Sequence, residues 1–278
     1  MSFPFTINKT HYVGGSTYRY RLGKSEDLSQ LEVALSSASI PFSWFNISAS
    51  QNNNKFTIRH PTLAGTVDLT ITLKDGGYEV SDMNAALRTS LINQGYFIQN
   101  NTTLDQTVYA ALRVNASTYS IEYISYPLPT ALPSGYIAGS AITFPATAKG
   151  TQLIIPSSNI QTRLGFTAGT YPAVQPTVLT VISSSVVPVI NDVSNVIITL
   201  DSCYNPYNSN SQSLTSISPA GVAFSRTIQY TTPALIWCEQ QSGVRQELTI
   251  RLVDQFYRQI ELTETDIVLN LVLRRKLN

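Results

Sequence analysis

Two histidines, two cysteines and a short acidic run are the residues in this 278-residue chain whose types could do chemistry. His11 and His60 each stand in a segment without cysteine or a regularly spaced carboxylate, so neither a metal-ligand set nor a nucleophile–base pair is spelled out. Glu261, Glu264 and Asp266 could offer the carboxylate pair of a glycosidase, but they read more simply as a solvated connection before the last strand. Cys203 and Cys238 lack zinc-site spacing and form no disulfide framework. They could pair if the strands carrying them are neighbours, but read first as two buried free thiols of a protein assembled in a reducing compartment. Phosphate-binding, dinucleotide and nucleophile-elbow motifs are all missing. The expectation is a non-enzymatic chain with no catalytic residue, no cofactor and no metal.

Binding chemistry is better represented. Tyr123, Tyr126 and Tyr136 flank a crossing rich in proline and glycine, from Pro127 through Pro129, Pro133, Gly135 and Gly139 to Pro145 and Gly150. Long irregular crossings in compact domains usually serve contacts. Amphipathic rings suit either a protein interface or a sugar platform. Arg274, Arg275 and Lys276 follow the final strand and could meet an acidic surface or a packaged genome, although such a run more often ends a strand in solvent. These six residues are the interface candidates.

The elements that position them are mostly strands. Leu248, Ile250 and Leu252 alternate, as do Ile267, Leu269, Leu271 and Leu273, so each set occupies one face, and the two strands read as a closing hairpin. Candidate strands recur along the chain, among them Lys55–His60, Thr66–Lys74, Thr107–Val114, Tyr119–Ser125, Thr177–Ser183, Val193–Leu200 and Leu235–Cys238. Many short strands separated by turns indicate an all-β sandwich or barrel. Trp44 with Phe42 and Phe45, and Trp237 beside Ile236, read as core. One helix is expected from Asp82 to about Gln94, with Ser81 as N-cap, Gly95 as stop, and Val80, Met83, Leu87 and Leu91 on its buried stripe. Packed on its neighbouring strands, it makes a β–α–β insertion. A polar loop is expected over residues 205–213.

Composition narrows the partners. Charged residues are 13% of the chain against 43% hydrophobic, well below the quarter or so common in soluble monomers, which suits a neutral exterior covered by neighbouring subunits, or else an extracellular β-protein kept soluble by hydroxyls and amides. Net charge is +1, which gives no global field to recruit nucleic acid or anionic lipid. No apolar run reaches membrane-spanning length, and the start resembles no secretory leader. Sequons at Asn8, Asn46, Asn100, Asn101 and Asn115 are chance matches in a chain rich in Asn, Ser and Thr.

Four blocks carry a family resemblance. The run LTIRLVDQFYRQIELTETDIVLNLVLRRK at the end of the chain resembles the closing strands of the vertex (penton), or minor capsid, proteins of Polinton-type elements, polinton-like viruses and virophages. DGGYEVSDMNAALRTSL (Asp75 to Leu91), LGFTAGTYP (Leu164 to Pro172) and SNVIITLDSCYNP (Ser194 to Pro206) resemble further blocks of that family in the same order. One departure is that no glycine turn follows Asp254-Gln255.

The resemblance implies a jelly-roll β-sandwich, and the helix and the proline-rich crossing read as a small α+β, loop-rich insertion over residues 62–189 between its two parts, residues 1–61 and 190–278, with one continuous domain as the alternative. It implies a homopentamer closing the five-fold vertices of an icosahedral virion, contacting major capsid protein, and assembled inside the host cell. A virion-surface attachment or carbohydrate-binding β-sandwich is the alternative.

Overall fold

Alternating aliphatic residues make a strand with one apolar face, and burying that face requires a second sheet opposite. The computed structural model describes residues 2–206 and 210–276 and supplies that pair of sheets. The chain forms two compact units: Met1–Phe45 with Val193–Asn278, and Asn46–Asp192.

Eight strands form the sandwich of the first unit, beside the short strands Tyr12–Gly14, Cys203–Tyr204 and Cys238–Gln240: β1 (Ser2–Asn8), β2 (Thr17–Asp27), β3 (Leu31–Pro41), β4 (Val196–Leu200), β5 (Ser213–Ile217), β6 (Thr227–Thr231), β7 (Val244–Val253) and β8 (Val268–Arg275). One sheet runs β1-β8-β3-β6 and the other β5-β4-β7-β2, every pair antiparallel. Written as chain positions, these orders are 1-8-3-6 and 5-4-7-2, the double Greek key of a jelly roll. The edge of β3 is shared by β6 and by Cys238–Gln240. Pro233 stands in the break between these two segments, where a ladder N–H would otherwise be needed.

β7 and β8 are not a hairpin. β7 pairs with β4 and β2, whereas β8 pairs with β1 and β3 in the other sheet. Period-two alternation fixes which face of a strand is buried but is silent about its neighbour. Here the two apolar faces meet across the core: Leu248, Ile250, Leu252, Ile267, Leu269 and Leu271 all have no exposed surface. They belong to one cluster with Ile7, Tyr18, Val33, Trp44, Ile198 and Ile228.

The link between β7 and β8 opens with a turn that needs no glycine. Asp254 is buried, and its carboxylate accepts the N–H groups of Phe256 and Arg258 and the Arg258 guanidinium. Tyr257 takes the left-handed conformation at φ +59° where glycine would be the unstrained choice. Three charge-assisted bonds to one carboxylate offset that strain. Farther along, Glu261, Glu264 and Asp266 are not buried.

In the second unit Lys55–Thr62 pairs along its whole length with Gly65–Thr72, and part of it pairs with Gln152–Ile155. That pairing places Lys55–Thr62 here and not in the sandwich to which its sequence position assigned it. Helix α1 spans Val80–Asn93, two residues earlier than its pattern suggested. Glu79 is the N-cap residue, not Ser81, and its N–H is accepted by the Asp82 carboxylate at 2.9 Å. Gly95 ends the helix at φ +81°, and a Cβ there would lie 2.8 Å from the Ala141 nitrogen. Val80, Met83, Leu87 and Leu91 pack with Leu69, Ile71, Ala110 and Leu112 in a core of the unit's own. Asn84 locks the contact by accepting the Leu112 N–H at 2.8 Å.

Aromatic placement departs from expectation in two places. Trp44 and Phe42 are core, but Phe45 is exposed, and Trp237 is half-buried beside an exposed Ile236. The polar loop expected at residues 205–213 lies partly outside the described residues.

Candidate interface surfaces

The three tyrosines of the crossing occupy three different environments. Ser120–Ser125 is the central strand of its three-stranded sheet and is buried on both faces, so Tyr123 is a core residue. Its hydroxyl lies 2.7 Å from Thr151 Oγ1, and burial pushes its pKa above the ordinary phenol value. A side chain without exposed surface presents nothing to a partner, and Tyr123 leaves the interface set for that reason. Tyr136 is half-buried, on a short strand paired with Ile98–Asn100, against a small cluster of Ile98, Tyr109, Leu128 and Ile142. Burial, with the neighbouring Tyr136, pushes the Tyr109 phenol up to about 12.

Tyr126 is the exposed member of the three. With Pro127 it forms one wall of a groove of about 400 Å³ whose other walls include Asn84, Arg88 and Tyr109. Polar groups of this groove are already engaged: Arg88 donates to the Gln106 carbonyl and Asn84 accepts from Leu112. It contains no nucleophile–base pair. A second concavity, of about 460 Å³, lies on the first unit and is lined by Thr17, Gln212, Arg251, Tyr257 and Gln259.

The basic run at the end of β8 divides in the same way. Arg274 Nε is 2.8 Å from a Glu32 carboxylate oxygen, and its guanidinium lies 3.9 Å from the Trp237 ring centroid. Lys276 Nζ is 3.0 Å from Glu239, and its N–H is accepted by the Gln30 carbonyl. Two of the three cations are therefore neutralised within the unit, and Arg275 is the exposed one.

His60 and the cysteines complete the reactive groups. His60 has no exposed surface, its Nδ1 lies 2.9 Å from the Pro61 carbonyl, and its ring packs 4.8 Å from that of Tyr96. Desolvation lowers its pKa to about 4, so it is a neutral core side chain. Cys203 and Cys238 are free and buried side by side. A hydrogen bond to Cys238, with burial, holds the Cys203 thiol protonated. Among the described residues no group of three or more His, Cys, Asp or Glu is placed to hold a metal ion. No described helix is long and apolar enough to cross a membrane. Asn46, one of the sequon residues, is wholly buried and donates to the Tyr78 and Ile190 carbonyls.

One surface was missed by sequence reasoning. Between Val174 and Val189 the second unit exposes a series of aliphatic side chains that, by type, read as core. The signal was present as charge: from Leu164 to Asn191 no residue is charged.

No protein-family model matches the chain, and no curated protein matches it. Two solved structures are similar over nearly its full length. The crystal structure of the mavirus penton protein has a TM-score of 0.45 at 7% identity, with 99% of each chain covered. A chain of the Sputnik virophage structure has a TM-score of 0.41 at 12% identity, covering 99% of this chain and 98% of that one.

Proposed function

We propose that this chain is a structural subunit of an icosahedral virus capsid, the pentameric vertex (penton) protein, and that it meets major capsid protein around each five-fold axis. The observation that carries the reading is the correspondence between sequence block and element. The closing block that resembles penton proteins is the β7–link–β8 segment, whose strands sit at the centre of the two jelly-roll sheets. The block from Ser194 to Pro206 contains β4, and the block from Asp75 to Leu91 leads into α1. A fold alone does not name a function, so the weight rests on the blocks.

The mechanism is geometric. A jelly roll keeps its two sheets as a rigid wall and frees the loops at both ends to vary. Five copies close a ring when one heterologous contact repeats with a five-fold rotation. Residues 46–192 act as an inserted domain with a core of their own. Of the basic run only Arg275 is free to meet an acidic interior surface, which makes genome contact a minor part of the role.

Sedimentation of the purified protein, alone and with major capsid protein, tests the reading, and pentamers or incorporation into shells are expected. A monomer that enters no shell contradicts it. The Tyr126 groove is the feature that would favour carbohydrate attachment, and binding of the isolated protein to a glycan array would support that reading instead.

A further inference from the structure

The stretch from Val174 to Val189 is held to the second unit by its backbone and turns its aliphatic side chains outward. The Pro176 carbonyl accepts the Gly150 N–H, Ser184 N–H donates to the Ile121 carbonyl, Val186 N–H to the Gly165 carbonyl, and Val189 N–H to the Thr162 carbonyl. Gly165 is required beneath it, because a Cβ there would collide with the Val186 carbonyl. Ile182 packs inward on the core of the unit. Val174, Val178, Leu179, Val186 and Val187, in contrast, are 57–80% exposed.

Thr180–Ser183, within this stretch, is an edge strand that, among the described residues, pairs only with Ser120–Ser125. Natural edges left in water are guarded by lysine, inward charges or a covering element, and here no charged residue occurs from Leu164 to Asn191. Together, five side chains exposed to this degree present on the order of 500 Å² of apolar surface. One partner in a standard interface contributes about 800 Å², so the strip could supply more than half of one.

We infer that this strip is an interface between copies of the chain, buried against a second copy when the protein assembles. An uncharged strip has nothing to offer a charged partner, and a membrane surface is met by helices or segments rich in Lys and Arg. A second copy brings the same low-charge exterior and meets the strip without desolvating an unpaired ion. This rests on the five-fold reading, in which each chain has two neighbours and the strip meets a different surface of the next copy.

The test uses the full chain carrying Val178→Lys and Val187→Lys together. Both positions are exposed, so the thermal unfolding and circular dichroism of the wild type should be retained, while sedimentation at the same concentration shows self-association weakened at least 100-fold. Deuterium uptake over residues 177–189 should be slow in the wild-type assembly and fast in the variant. If the lysine pair unfolds the protein, Val178→Ser with Val187→Ser should fold and weaken association about 10-fold. A variant that assembles like the wild type overturns the inference, as do a wild type that stays monomeric and a strip protected only when major capsid protein is added. A wild type that assembles through this strip into a number other than five supports the inference and contradicts the five-fold reading.

Discussion

Arg274 stacks on Trp237, with the guanidinium carbon 3.9 Å from the ring centroid, while the same guanidinium is paired with Glu32. The stack bridges β8 to the segment just before Cys238–Gln240, two strands away across β3. A planar guanidinium serves both partners at once, and an ammonium does not. Arg274→Lys should therefore lower stability by about 1 kcal/mol in urea unfolding. Arg275→Lys, at the exposed neighbour, should change it by less than about 0.5 kcal/mol.

Adjacent positions on β8 should differ sharply in tolerance. Leu271 is fully buried opposite Phe5 and Leu35, so Leu271→Asp strands a carboxylate in the core. Asn270 lies on the other face, accepting the Thr6 hydroxyl and donating to Ser37, whose hydroxyl can reverse to donate to a carboxylate. Leu271→Asp should cost upwards of about 4 kcal/mol and abolish soluble expression. Asn270→Asp should express like the wild type. Equal solubility of the two would reverse the assignment of faces.

Much of the sandwich was legible in the sequence because half-burial writes itself as period two. The alternations of Leu248, Ile250 and Leu252, and of Ile267 through Leu273, identify both inner faces from residue types alone. Pairing was not legible, because such alternation is the same whether a strand's neighbour is the next in sequence or one from the other end of the chain, as β8's are. The buried stripe of α1 was clear, yet its start was misplaced because Ser81 offers a plausible cap while Asp82 reaches back to Glu79. Among site residues, Tyr123 reads like Tyr126 in sequence. Only the central position of its strand separates core from surface. The Val174–Val189 strip was hidden for the opposite reason, because exposed valines are indistinguishable by type from buried ones.

His60 should give the second unit a pH dependence with a defined window. Its pKa is lowered from 6.5 to about 4 in the folded state by burial. Above pH 6.5 both states are neutral; between 6.5 and about 4 only the unfolded chain takes the proton, so stability falls with pH; below about 4 both are protonated and the loss levels off. The slope is at most about 1.4 kcal/mol per pH unit. Asp68, whose pKa is held down by the Arg59 hydrogen bond, acts in the same direction but at lower pH, as it protonates below its ordinary 3.8. Urea midpoints from pH 7.5 to 4.5 should decline in the wild type and lie nearly flat in His60→Leu.

The two thiols should be silent until the first unit unfolds. Cys203 is fully buried and Cys238 nearly so, and the Cys203 thiol is held protonated. A thiol-specific reagent should find less than about a tenth of the total in the native protein and both thiols in denaturant. Rapid native labelling of either would contradict the packing of Cys203–Tyr204 against Cys238–Gln240.

Residues 46–192, expressed alone, should fold. Their core of α1, Lys55–Thr62, Gly65–Thr72 and Ala110–Asn115 is made within the segment. A single cooperative unfolding transition is expected, and an isolated segment without one would show that it depends on the rest of the chain.

The central claim is five-fold closure, and electron micrographs of the purified full-length protein, classified without imposed symmetry, test it most directly. Rings of five copies are predicted, alone or seated at the vertices of shells formed with major capsid protein. Particles that remain single copies under both conditions, or rings of any other number, would contradict it.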